Sequence, residues 1–225
     1  DTTNFGNLPW REVFTDPQLQ SLIEQGLKQN TDLLSAALNV KAAEASLMSA
    51  RLAYAPSIGL SPQGTISSFD KNAATKTYSL PVTASWQVDL FGQLLNSKRN
   101  AQVTLKQTKA YRQAVQTQVI ANIANMYYTL LMLDRQLEIT QATAEVLKRN
   151  AETVQALSER STYTSAALAQ SKAAYAQVVA SIPDIEQSIR ETENALSTFL
   201  GEAPHAIKRG TLEAQVLPTE LSAGV

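Results

Sequence analysis

The sequence predicts a mainly α protein in which very long helices pair as an antiparallel coiled coil around one inserted β-hairpin. Three observations carry this. No glycine falls between Gly92 and Gly201 and no proline between Pro81 and Pro183, so Gln93 to Ile182 holds no strong helix breaker. Within it, Val115, Val119, Ile123, Met126, Leu130, Leu133, Leu137, Thr140, Ala144, Leu147, Ala151 and Val154 recur at spacings of four and three, the seam of a left-handed supercoil. Upstream the period changes to two, the rhythm of a strand.

In chain order, Asp16 before Pro17 reads as a cap with proline at the first helical position. Leu19, Leu22, Ile23 and Leu27 continue that short helix to Asn30. A further helix over Thr31 to Ala53 is expected to bury Leu34, Leu38, Ala42, Ala45, Met48 and Leu52, and Pro56 closes it.

Alternation then takes over. Ile58, Leu60 and Ile66 share the even positions of Ser57 to Ser67. Over Thr77 to Asp89, Tyr78, Leu80, Val82, Ala84, Trp86 and Val88 face one way, while Ser79, Thr83, Ser85 and Gln87 face the other. The polar link Phe69 to Lys76 joins the two as a hairpin. Its apolar face fits either a soluble core or the lipid side of a transmembrane barrel, whose strands need about 9 to 11 residues. Long helices that bury their own seam leave little core for it to cover, which favours the barrel.

The long helix from Gln93 gains a second apolar line at Ile120, Ala124, Tyr127 and Leu131, so it has more than one neighbour. It is expected to end near Arg160, where Ser158, Ser161, Thr162, Thr164 and Ser165 crowd around Tyr163 and favour a turn. A return helix from Ser165 to Leu200 carries Leu168, Tyr175, Val178, Val179, Ile182, Ile185, Ile189, Leu196 and Phe199 mostly on one face. Pro183 is expected to kink it, and Gly201 to cap it.

Composition excludes several function classes. The formal net charge of -1 supplies no overall field that would steer the chain to nucleic acid phosphates or to anionic lipid. With no cysteine there is no disulfide, thiolate metal site or cysteine nucleophile, and the single histidine, His205, reads as a surface residue. Asp32, Glu44, Asp89, Glu138, Asp184 and Glu193 are scattered carboxylates of solvated faces. No catalytic, cofactor or metal residue is nominated, and no apolar run approaches a spanning helix. Asp1 opens no signal segment, as expected of a mature or trimmed chain.

The order helix, helix, strand, strand, very long helix, return helix resembles half of a TolC-type outer membrane efflux protein. Three strings carry the likeness: "WREVFTDPQLQSLIEQGLKQNTDL" from Trp10 to Leu33, "SWQVDLFG" from Ser85 to Gly92, and "FLGEAP" from Phe199 to Pro204. The second is similar to the family's strand-to-helix junction. There Asp89 can accept backbone hydrogen bonds, Phe91 follows, and Gly92 permits a turn other residues avoid. Trp86 suits a membrane boundary.

The resemblance implies a homotrimer with two such halves per protomer and a 12-stranded barrel in the outer membrane of a Gram-negative bacterium, continuous with a periplasmic helical tunnel. Leu80, Val82, Ala84 and Trp86 would face outer membrane lipid. It implies passive export with a periplasmic adaptor protein and an inner-membrane pump, no enzyme activity and no cofactor. The tip residues Arg160, Thr162, Tyr163, Thr164, Ser165, Ala166 and Leu168 fall where the family docks its adaptor. Arg160 matches the usual arginine, while Thr164 stands at a glycine and Gln170 at an aspartate. A soluble periplasmic coiled-coil adaptor or scaffold is the alternative.

The expected segments are 1–30 with the short helix, 31–55 a periplasmic helix and 56–91 the barrel hairpin. A helical hairpin over 92–200 has its tip near 158–166, and 201–225 links toward a second repeat. With half its neighbours missing, the strand hairpin is expected to be mispaired, paired between copies or poorly ordered.

Overall fold

The computed structural model describes residues 9–67, 75–160 and 164–216. Its helices are α1 (Trp10–Val13), α2 (Pro17–Gln29), α3 (Thr31–Leu52), α4 (Gln93–Glu159) and α5 (Ser165–Phe199), with a short 3-10 turn at Leu212–Ala214. The strands are β1 (Ser57–Leu60), β2 (Gln63–Ser67), β3 (Thr75–Ser79) and β4 (Val82–Ser85). The fold is mainly α with one inserted β-hairpin. Two compact units divide the chain, Asp1–Leu34 with Ala114–Val225, and Ser35–Gln113.

In the first unit, α2 begins where the side chain of Asp16 accepts the amide hydrogen of Gln18, with Pro17 at the first helical position. Asn30 separates α2 from α3 and serves both. Its side-chain oxygen accepts the amides of Asp32 and Leu33, at 3.1 and 3.2 Å, and its side-chain nitrogen donates to the carbonyl of Phe199 at 3.1 Å. A residue that ends one helix, starts the next and ties both to a third can sit buried without an unmet polar group.

The core of this unit gathers Leu19 and Ile23 of α2 with Ile123, Tyr127, Leu130 and Leu131 of α4, and with Leu196 and Leu200 at the end of α5. Every position of the α4 seam, from Val115 to Val154, is buried or half-buried. So is the second line from Ile120 to Leu131. Gly26 allows the close approach of α2: a Cβ there would overlap the end of the Ile123 side chain and press on Leu200.

The helix α5 returns antiparallel to α4, since Asp134 and Glu193 hold one guanidinium, that of Arg209, about equally far from the connection. The helix is unbroken through Pro183. Val179 departs from the expected buried face and is exposed. The end of α5 is a Schellman arrangement: Gly201 has φ 78°, its amide reaches the Thr198 carbonyl, and the Glu202 amide reaches that of Ser197.

One expected face is corrected. On α3 the buried positions are Leu33, Ala36, Val40, Ala43 and Leu47, while Leu34, Leu38, Met48 and Leu52 are exposed, and Ala42 and Ala45 with them. Both rows run at spacings of three and four and each holds two alanines, and the row from Leu33 to Leu47 is the one that packs inward. A helix apolar on two sides offers two seams, and residue size does not decide between them.

In the second unit, β1 pairs with β4 and β2 with β3, both antiparallel. The pairs Leu60 with Val82 and Gln63 with Ser79 belong to one register, so these are two parts of a single hairpin. Among the described residues the two arms pair with each other in a single register, which corrects the expectation of mispairing. The expected strand from Thr77 to Asp89 is also shorter and broken. Pro81 has no amide hydrogen, so its pair with Ser61 keeps only the bond from the Ser61 amide to the Pro81 carbonyl, at 3.2 Å, and the ladder is interrupted there. β4 ends at Ser85, paired with Ser57.

Candidate functional site

The hairpin register places Ile58 opposite Ala84, Leu60 opposite Val82, and Gly64 opposite Tyr78. All even positions of both strands therefore share one face. The odd positions share the other, where Ser57 and Ser85 bring their hydroxyl oxygens to 2.7 Å and Thr65 lies opposite Thr77. Ile58, Leu60, Ile66, Tyr78, Leu80, Val82 and Trp86 each leave at least 60% of their surface exposed. An uncovered apolar face of this extent is not a packed core, and water is an unfavourable medium for it. Counting the interruption, each arm is about 11 residues, the length a tilted strand needs to cross hydrocarbon.

Of the four residues expected to face lipid, Val82 and Ala84 lie in β4, Leu80 in the interruption and Trp86 just past the strand; all four are exposed on the apolar face. The Trp86 indole N–H donates to the carbonyl of Tyr54 at 3.0 Å. The Lys98 ammonium lies 5.9 Å from the centre of the Tyr54 ring. Tyr54 and Lys98 escape a sequence reading, because their link to Trp86 exists only once the hairpin has closed.

At the junction, the Asp89 carboxylate accepts the amide hydrogen of Leu95 at 2.9 Å, satisfying a donor in the first turn of α4. Gly92 has φ 73°, in the left-handed region, and its carbonyl accepts from Asn96 at 2.9 Å. The chain bends there into the helix. Phe91 is 95% exposed.

At the other end of α4, Thr162 and Tyr163 lie outside the described residues. Arg160 is exposed just past the helix, and its amide reaches the Leu157 carbonyl at 3.2 Å. Thr164 caps α5: its side chain accepts from the Ala167 amide, and its backbone is extended at φ -79° and ψ 152°. That conformation needs no glycine, so threonine serves where the family pattern has one. Ser165 and Ala166 are exposed and Leu168 is half-buried.

The polar network of the first unit is structural. Tyr127 donates to Asp16 at 2.6 Å and accepts from the Gly210 amide at 3.1 Å, and Gln215 donates to the same carboxylate at 2.7 Å. Partial burial raises the Asp16 carboxyl, but the hydrogen bonds from Tyr127, Gln215 and the backbone outweigh it and hold the group below its usual range. Burial first, then the Asp16 carboxylate, push the Tyr127 hydroxyl well up.

Arg209 grips Asp134 with two nitrogens, at 2.5 and 2.8 Å, and Glu193 with a third at 2.5 Å. Glu193 is thus a half-buried ion-pair partner, which corrects its reading as a solvated carboxylate. His205 sits in the loop after α5, its Nδ1 3.0 Å from the Ala203 carbonyl. Among the described residues no helix is long and apolar enough to cross a membrane.

The chain carries an exposed apolar hairpin face, a left-handed glycine at the start of a very long helix, and a return helix, and comparison with known proteins gives its class. The family described as outer membrane efflux protein matches residues 22–202, and the chain belongs to it. The cation efflux system protein CusC of Escherichia coli K12 is 27% identical over 233 residues, covering 99% of this chain and 50% of that protein. The pyoverdine export outer membrane protein OpmQ of Pseudomonas aeruginosa is 30% identical over 173 residues, covering 71% of this chain and 35% of its own.

Among solved structures, the outer-membrane channel OprN superposes with a TM-score of 0.86 at 21% identity, covering 100% of this chain and 52% of that one. CusC superposes with 0.85 at 24% identity, covering 99% and 53%. The fold is that of TolC-type outer membrane channels. The chain spans about half the length of the curated relatives it matches. Family membership places it at the outer membrane of a Gram-negative bacterium, with its helices in the periplasm, and sets aside a soluble scaffold.

Proposed function

We propose that this chain is one repeat of a passive export conduit. The hairpin supplies two strands of a transmembrane barrel, with Leu80, Val82, Ala84 and Trp86 against lipid and the serine and threonine face toward an aqueous lumen. Two repeats per protomer and three protomers would close twelve strands, leaving no unpaired edge in hydrocarbon. The observation that carries this reading is the exposed, mostly apolar face of a hairpin whose other face, apart from Gly59 and Pro81, is serine, threonine and glutamine.

In this reading α4 and α5 form part of a periplasmic tunnel, and the connection from Arg160 to Leu168 meets a periplasmic adaptor coupled to an inner-membrane pump. The protein itself catalyses nothing; energy and selectivity reside in the pump. The names of the relatives, cation efflux and pyoverdine export among them, support export as the class while spanning unlike cargoes. Photo-crosslinkers at Thr164 and Ala166 in the full-length protein test the docking. Capture of one periplasmic adaptor is expected, and none in cells with an assembled, active pump contradicts it.

A further inference from the structure

Past Asp89, the stretch of α4 beneath the hairpin carries charge of one sign. From Leu90 to Leu133 the sequence contains no Asp or Glu, while Lys98, Arg99, Lys106, Lys109 and Arg112 fall within it. Lys109 pairs with Glu44 at 3.3 Å. Among the described residues no carboxylate pairs with Arg51, Lys98 or Arg99.

These three cations belong to the ends of the two helices that flank the strands. Arg51 is in the last turn of α3, and its carbonyl accepts from the Tyr54 amide at 3.4 Å. Lys98 and Arg99 lie five and six residues into α4, a rise of about 8 to 9 Å. Contact runs from the Lys98 ammonium to the Tyr54 ring, and from the Tyr54 carbonyl to the Trp86 indole. The cations thus begin where the apolar face ends, within the depth of one headgroup layer, about 5 to 8 Å thick. Long side chains on helical stems can reach the remaining distance.

We propose that Arg51, Lys98 and Arg99 form a cationic collar that binds the phosphodiester headgroups of anionic phospholipids in the periplasmic leaflet. This rests on the reading of the hairpin as a lipid-facing element. Charge complementarity and continuity with the apolar face select the occupant. Lys106, Lys109 and Arg112, about 20 to 29 Å along α4, are beyond headgroup reach.

The full-length protein, reconstituted in phosphatidylethanolamine vesicles with spin-labelled phosphatidylglycerol or phosphatidylethanolamine, tests this through the motionally restricted lipid fraction. The wild type is expected to prefer phosphatidylglycerol about fivefold, less so at high salt. Arg51→Gln/Lys98→Gln/Arg99→Gln is expected to lose the preference, and Lys106→Gln/Lys109→Gln/Arg112→Gln to keep it. An unchanged preference in the first variant, or equal loss in both, overturns the collar while leaving the membrane reading standing. If lipid of neither headgroup is restricted, the hairpin does not enter the bilayer and both readings fall.

Discussion

Tyr127 donates its hydroxyl hydrogen to Asp16 at 2.6 Å, so the residue that opens α2 also ties that helix to the middle of α4. The same carboxylate caps Gln18 and receives Gln215, which closes the segment after α5 onto the same point. One side chain thereby joins three parts of the first unit.

Tyr127→Phe is expected to cost about 1 to 2 kcal/mol, and Asp16→Ala somewhat more because it also removes a cap. Since hydrogen bonding lowers the Asp16 pKa below its ordinary 3.8, its contribution is complete above that pH and disappears as pH falls through the folded value. Denaturation of wild type and Asp16→Asn in detergent checks this: the gap between them should be open at pH 7 and closed in strong acid.

Arg209→Met is expected to destabilise by about 3 kcal/mol, because Asp134 and Glu193 would be left as neighbouring like charges, one of them well covered. Arg209→Lys should recover only part of this, since an ammonium cannot reproduce the two-nitrogen grip on Asp134. Urea midpoints of the two variants give the comparison.

Gly26→Ala is expected to cost about 1 to 3 kcal/mol, since the new methyl group would collide with Ile123 and crowd Leu200. The paired change Gly26→Ala/Ile123→Val should restore part of the loss. Thermal melts of the single and double variants measure it.

How far these features could be read from the sequence differs by element. The α4 seam was legible throughout, because its apolar row keeps a period near 3.5 over many turns and the second line from Ile120 to Leu131 flanks it rather than competing with it. On α3 the leucines at 34 and 38 made a row as convincing as Leu33, Ala36 and Val40, and only packing chose between them. The hairpin's two faces were legible from alternation, whereas its interruption depended on the register placing Pro81 at a hydrogen-bonded position opposite Ser61. The Asp16, Arg209 and Trp86 partnerships join residues far apart in sequence, which no local pattern encodes.

Val82→Arg is expected to impair assembly in the outer membrane, by roughly 2 to 4 kcal/mol if the residue lies near the bilayer midplane, while Thr83→Arg is tolerated. The folded fraction recovered from outer membranes reports the difference.

The placement of the two hairpin faces is tested most directly by single cysteines at Val82 and Thr83, introduced into a chain whose sequence has none. In outer membranes, a water-soluble maleimide should label Thr83→Cys through the lumen and leave Val82→Cys untouched, while a lipid-dissolved quencher should reach a probe at 82 alone. Equal aqueous labelling at both positions, or quenching at neither, would contradict the assignment of the hairpin to hydrocarbon.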